Sequence, residues 1–257
     1  ILTGFAFKTI AFATITETEQ VNLDALTGAN SQIVEQVAKP EQNKQKDIGA
    51  ELTSAKSMIV IETTNGSTLY SKNANEKLPM ASTTKIITAL TVIENCEDLD
   101  KVITIPKSAT LVEGSSIYLK PDEELTIRQL LYGLMLQSGN DSAATLALEV
   151  GGSLEDFADL MNETAKKCGA TNSSFVTPHG LDDKNHYTTA SDLAKITAYA
   201  LKNPTFKEIV STKSYNIPAT NKYGARYLIN KNKLLSGLDG CVGVKTGYTS
   251  KAGRCLV

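Results

Sequence analysis

Ser82 and Lys85 bracket the run Ser82-Thr83-Thr84-Lys85, and that spacing puts a hydroxyl and an amine on one face at the start of a helix. A serine hydroxyl is a weak nucleophile until a base sits within hydrogen-bond reach. A lysine is such a base when burial or a neighbouring cation brings its pKa toward neutrality. The chemistry on offer is acyl transfer through a serine ester. Taken alone, the tetrapeptide is a weak signal, and a solvated helix face explains it as well.

Two further groups change that balance. Ser138-Gly139-Asn140 falls where one helical pattern ends and another begins, so its side chains can project from a turn into a cleft. Lys245-Thr246-Gly247 closes a strand-like run from Cys241 to Thr246, and Gly247 would let a substrate backbone approach closely. Each has an ordinary structural explanation, a helix–helix turn or a strand end. All three in this order, each on a suitable element, are hard to assign to chance. Ser115-Ser116 could line the same cleft or form a plain polar loop. The histidines are His179 and His186; with Asp182 or Asp183 their spacing matches no strong metal motif, and His179 is expected to buttress a loop. A Ser-His-Asp triad has no supporting context.

The elements that must position these groups follow from pattern. Residues 14–47 are rich in Glu, Gln, Asn, Thr and Lys and read as a polar spacer, with a marginal helix around Ser31 to Val37. Order begins near Ile48. Strands at Ser57 to Glu62 and Ser67 to Ser71 flank the turn signal Asn65-Gly66. After Ser82 the apolar residues Ile86, Ile87, Ala89, Leu90, Val92 and Ile93 point most ways round, which predicts a buried central helix. Further helices are expected after Thr126, from Asn140 to Gly151-Gly152, from Ser153 to Gly169, and from Thr189 to Asn203, where Pro204 ends it. Strand signals return after Ser214. Strands at both ends with helices between them give one α+β architecture whose terminal strands share a sheet. The chain stops at Val257 inside what should be the next strand, so the sheet is expected to be truncated at the C-terminus.

Composition excludes several classes. The chain has 257 residues, is 41% hydrophobic and 21% charged, and carries a net charge of -2, which suits one globular core. No basic stripe argues for nucleic acid, and no apolar run reaches the length of a membrane span. Residues 1–13 are mostly apolar and end in Ala11-Phe12-Ala13, as a signal-peptide remnant would, although Lys8 interrupts the run and a core-packed segment is the alternative. Cys96, Cys168, Cys241 and Cys255 are too few for a disulfide scaffold and lack metal spacing. Cys241 and Cys255 are expected on adjacent antiparallel strands, where register decides whether they bond.

The set S-x-x-K, S-x-N and K-T-G marks penicillin-binding proteins and class A β-lactamases. Within that superfamily the chain resembles the low-molecular-weight D-Ala-D-Ala carboxypeptidases from about Ile48 to Val257. The likeness runs through Pro79-Met80-Ala81-Ser82-Thr83-Thr84-Lys85, Gly114-Ser115-Ser116, Ser138-Gly139-Asn140-Asp141-Ser142-Ala143, His179-Gly180-Leu181-Asp182 and Gly243-Val244-Lys245-Thr246-Gly247-Tyr248-Thr249. The resemblance implies a β-lactamase/transpeptidase-like fold over residues 48–257, an antiparallel sheet of N- and C-terminal strands with a helical subdomain. It implies Ser82 as nucleophile, Lys85 as base, Ser138 as proton relay, and Asn140 as a holder of the peptide amide and Lys85. Lys245 and Thr246 would bind the terminal carboxylate, with Gly247 and Ser116 beside them. The N–H groups of Ser82 and Tyr248 would form an oxyanion hole. It implies no cofactor and no metal, a peptidoglycan pentapeptide substrate, β-lactams as inhibitors, an exported enzyme, and membrane association through segments this sequence lacks.

A class A β-lactamase needs a glutamate to activate the deacylating water, and between Thr164 and Lys207 there is none. A sensor or anchoring module without turnover, and an endopeptidase using the same residues, remain the other readings.

Overall fold

Helix α1 (Lys85–Asn95) stands at the centre of the molecule, with Ile86, Ile87, Leu90 and Val92 all buried. Around it pack α2 (Ile127–Leu136), α3 (Asn140–Gly151), α4 (Leu154–Lys167), α5 (Ala190–Ala200) and α6 (Pro204–Ser211). The all-round apolar pattern of α1 has this cause: from Lys85 to Val92 no face of the helix meets water, exposure coming only at Glu94 and Asn95, and each large side chain buried there is worth roughly 1.5–3 kcal/mol. The computed structural model describes residues 9–11, 14–15 and 54–257. The polar spacer beyond Ile15, its expected helix at Ser31 to Val37, the start of order near Ile48, and the signal remnant outside Thr9–Ala11 lie outside the described residues.

The helix ends carry the caps the sequence advertised. Thr126 opens α2 with a capping box: its side chain accepts from Gln129 N–H while the Gln129 side chain accepts from Thr126 N–H. Ser153 caps α4, Thr189 caps α5, and Gly169 follows α4 at φ 76°. Pro204 does not end α5, which stops at Ala200 before a short turn. It sits in the first turn of α6 under an Asn203 cap, where its missing N–H costs nothing.

The main sheet contains β1 (Thr9–Ala11), β2 (Thr14–Ile15), β3 (Ser57–Glu62), β4 (Thr68–Lys72), β9 (Thr246–Thr249) and β10 (Gly253–Leu256). Hairpins β3–β4 and β9–β10 are antiparallel. They are joined through β1, which runs parallel to both β3 and β10, so the first and last strands share a sheet. A small apolar cluster of Ile59, Leu78, Ala81, Ala190, Ala194 and Cys255 seats the sheet on α5 and on the turn that carries Ser82. Two ribbons stand apart from this sheet: β5 (Val102–Thr104) with β6 (Glu124–Thr126), which no sequence signal marks, and β7 (Ser214–Ile217) with β8 (Arg226–Ile229), where strand signals return after Ser214.

Two expectations need correction. Lys245-Thr246-Gly247 starts strand β9 instead of ending one. The Val257 carbonyl accepts from both Val244 N–H (2.8 Å) and Lys245 N–H (3.0 Å), so two residues oppose one, as at a bulge, while Val257 N–H donates back to Lys245 O (2.9 Å) and the ladder continues from there through Thr246. Cys241 therefore lies in a loop before the strand while Cys255 pairs opposite Gly247, and both thiols are free. At about 3.3 Å per residue, the register keeps them apart.

Candidate active site

The Ser82 turn begins with an unusual residue. Ala81 adopts φ 49°, and Ala81–Thr84 form a single 3-10 turn that leads into α1 at Lys85. An alanine in the left-handed region is strained, and such residues persist only where the surroundings over-determine them. Here the surroundings are hydrogen bonds: Thr83 Oγ1 donates to Met80 O (2.6 Å) and Thr84 Oγ1 to Ala81 O (2.8 Å).

One turn on, Lys85 is fully buried. Its Nζ lies 3.1 Å from Ser82 Oγ, 2.7 Å from Asn140 Oδ1 and 2.6 Å from the His179 carbonyl oxygen. Burial, and then the charges of Lys245 and Lys231, hold its pKa well below 10.5; Asp141 pulls weakly the other way. Asn140 is oriented by its own amide, which donates to Glu113 O at 2.6 Å, while its N–H donates to Ser115 O.

Ser138 and Asn140 owe their placing to a helix junction. Ser138 has φ 63° just past the end of α2, a position that favours glycine, and is buried; Gly139 N–H donates to Gly133 O, and α3 starts at Asn140. Asn140 thus reaches Lys85 from the first residue of α3, with Ser138 held two residues before it at the junction. Asp141 anchors the opposite wall: its buried carboxylate accepts from Ser116 Oγ (2.6 Å) and from the N–H groups of Ile117 and Leu119. Ser116 Oγ also accepts from Tyr118 N–H, so in this structure that hydroxyl supports the loop.

Strand β9 supplies the third wall. A Cβ on Gly247 would come within 2.9 Å of Ser82 N and 3.1 Å of Thr83 N, which is why glycine stands there. Tyr248 follows with its side chain 67% exposed and its backbone opposite Arg254. Lys245 is buried and donates to the Thr246 carbonyl at 2.8 Å; burial and then the Lys231 charge push its pKa down to about 7. Cys241, Val242 and Val244 line an apolar recess of about 450 Å³ that none of the site side chains lines.

Sequence reading missed three participants. Lys231, two residues beyond β8, reaches Ser115 Oγ at 3.4 Å and acts electrostatically on both buried lysines; no motif marks it. His179 was foreseen as a loop buttress, and its ring does accept from Leu181 N–H, but its carbonyl is a direct partner of Lys85. Arg226 forms a buried, two-pronged pair with Glu123 and also donates to the carbonyls of Ile117 and Tyr118, fixing the loop that follows Ser115-Ser116.

An α+β fold in which a buried lysine, a Ser-Gly-Asn junction and a Lys-Thr-Gly strand converge on one serine is that of the penicillin-binding DD-peptidases. The chain belongs to the D-alanyl-D-alanine carboxypeptidase family, peptidase S11, whose sequence model matches residues 41–257. It is 39% identical over 208 residues to a D-alanyl-D-alanine carboxypeptidase of Bacillus subtilis, covering 79% of this chain and 53% of that protein. The chain thus spans about half the length of that relative. A D-alanyl-D-alanine carboxypeptidase of a Streptomyces species is 37% identical, with 75% of this chain and 71% of that one covered. The crystal structure of the Streptomyces K15 DD-transpeptidase superposes with a TM-score of 0.72 at 37% identity, covering 76% of this chain and 80% of that one.

Proposed function

We propose that the protein is a serine-type D-Ala-D-Ala carboxypeptidase that removes the terminal D-alanine of peptidoglycan stem peptides through an ester on Ser82. The observation that carries this is Lys85: a fully buried amine, 3.1 Å from Ser82 Oγ, whose charged form is disfavoured by burial and by two neighbouring cations.

Ser82 Oγ attacks the carbonyl carbon between the two D-alanines as Lys85 takes its proton. The N–H groups of Ser82 and Tyr248 receive the oxyanion. The proton returns through Ser138 to the leaving nitrogen, the C–N bond breaks, and free D-alanine departs. Asn140 holds the substrate amide while keeping Lys85 in line. Lys245 and Thr246 take the terminal carboxylate, Gly247 leaves room for its backbone, Ser116 borders the subsite, and Lys231 adds a second positive charge. Water then cleaves the ester. A β-lactam follows the same first step, its ring amide taking the place of the peptide bond, and stalls because no glutamate stands where a lactamase has its deacylation base.

A substrate in the cell wall calls for export to the outer face of the cell membrane. Among the described residues no helix is long and apolar enough to cross a membrane. Release of D-alanine from diacetyl-Lys-D-Ala-D-Ala, absent in Ser82→Ala, tests the whole scheme. Penicillin labelling without D-alanine release would point to a sensor, and release only from cross-linked peptides to an endopeptidase.

A further inference from the structure

His186 lies 102 residues from Thr84 in sequence, yet its Nε2 sits 2.8 Å from Thr84 Oγ1. The ring is buried and meets the Phe175 ring edge-on, with centroids 5.9 Å apart. Its Nδ1 accepts from the N–H groups of Val176 (3.1 Å) and Thr177 (3.4 Å). Two backbone donors on Nδ1 leave no place there for a proton, so the neutral ring carries its one N–H on Nε2. Nε2–H therefore donates to Thr84 Oγ1. That oxygen, having accepted, gives its own hydrogen to the Ala81 carbonyl at 2.8 Å.

The chain of donors has one direction and ends on a particular peptide group. Ala81 C=O and Ser82 N–H belong to the same planar trans unit and point to opposite sides of it. Fixing the carbonyl toward Thr84 thus aims the Ser82 N–H the other way. The face on which it emerges is bordered by Gly247, whose Cα is close enough that an added Cβ would meet Ser82 N at 2.9 Å. On the carbonyl side the packing is equally close, since a Cβ on Gly180 would lie 2.0 Å from Ala81 O. The strained φ of 49° at Ala81 is the backbone cost of this orientation.

We propose that His186 is a positioning residue for the oxyanion hole: through Thr84 and the Ala81 carbonyl it sets the direction of the Ser82 N–H. This rests on the reading of Ser82 as the nucleophile. The same ring gathers the backbone at Val176 and Thr177, and the loop they begin delivers the Pro178 carbonyl to Thr88 Oγ1 and the His179 carbonyl to Lys85. One imidazole thereby ties the base and the oxyanion donor to a single loop.

The test uses Thr84→Val, which keeps the branched shape and deletes the relay, and Thr84→Ser, which keeps the hydroxyl. With a fluorescent penicillin, Thr84→Val is expected to lower the acylation rate constant about 100-fold, the scale of one oxyanion donor, while leaving the non-covalent Kd unchanged. Affinity for a peptide boronic acid, which mimics the tetrahedral intermediate, should fall in parallel, and Thr84→Ser should restore both. Acylation by Thr84→Val at the wild-type rate, or a loss shared equally by Kd and rate, would overturn the relay. Should Thr84→Val fail to fold, the tautomer of His186 in the wild-type protein decides by nitrogen NMR. Nε2–H with bare Nδ1 supports the relay, and Nδ1–H overturns it. Labelling that persists in Ser82→Ala would overturn the nucleophile assignment, a separate failure recognisable because the tautomer would stand.

Discussion

Lys85 Nζ lies 2.6 Å from the carbonyl oxygen of His179, a residue 94 positions further along the chain. A carbonyl only accepts, and so does Asn140 Oδ1 at 2.7 Å once the Asn140 amide nitrogen is committed to Glu113 O. A neutral amine has two N–H bonds and one lone pair. The two acceptors use both N–H bonds, and the lone pair is left facing Ser82 Oγ–H at 3.1 Å. The geometry suits a base that is already deprotonated.

Ser82→Ala is expected to abolish covalent penicillin labelling with no change in melting temperature. Lys85→Arg tests the base separately. A guanidinium cannot lose its proton at any working pH, so acylation should drop by about 10²–10⁴-fold. An intact rate in Lys85→Arg, measured by labelling kinetics, would exclude Lys85 as the base.

The acylation profile against pH should have two limbs. The rate rises as Lys85 loses its proton, below the ordinary lysine range because burial and then Lys245 and Lys231 disfavour the charge. It falls above about pH 7 for carboxylate-bearing substrates as Lys245 discharges, and that alkaline limb should vanish for amidated ones. A profile identical for both substrate types would remove Lys245 from the carboxylate site.

Lys245 also sets a stability trend. Its folded pKa of about 7 lies below the unfolded 10.5, so between those values the unfolded chain holds a proton that the folded one lacks. Stability from this group therefore rises with pH across that window. Lys245→Met should melt higher than wild type at neutral pH and lose that rise. Thermal melts from pH 6 to 10 would show it, and a lower melting temperature for Lys245→Met would contradict the account.

Gly180→Ala is predicted to be severe. Gly180 has φ 85°, and the new methyl would stand 2.0 Å from Ala81 O, a backbone atom. The loss should be roughly 3 kcal/mol, the scale of overpacking against a fixed backbone, with labelling lost alongside. Gly152→Ala, at φ 77° but in open space, is the control and should cost much less.

Arg226→Met should destabilise by about 3–5 kcal/mol, because it leaves the Glu123 carboxylate buried without its partner. It should also slow acylation, since the loop from Ser115 to Leu119 loses the donor to its Ile117 and Tyr118 carbonyls. Pairing it with Glu123→Gln should recover much of the stability, as chemical denaturation would report.

The sequence by itself determined what is local and periodic. The central helix was legible because Ile86, Ile87, Leu90 and Val92 leave it no polar face, and the caps at Thr126, Ser153 and Thr189 because a short polar side chain before an apolar run has few other uses. The three chemical groups were legible because residue type and spacing survive without coordinates. Tertiary structure alone decided which partners those groups meet. No spacing rule connects Lys85 with the carbonyl of His179, Thr84 with His186, or Lys231 with Ser115, since these contacts close loops of roughly a hundred residues. The start of β9 was misplaced for a related reason. The run from Cys241 to Val244 has the composition of a strand, but whether it joins a ladder depends on the register of β10, where the Val257 carbonyl takes two N–H groups at once. The charge state of the site belongs with these. Lysine is an ordinary cation in any sequence, and only burial beside two other cations disfavours the charged form of Lys85.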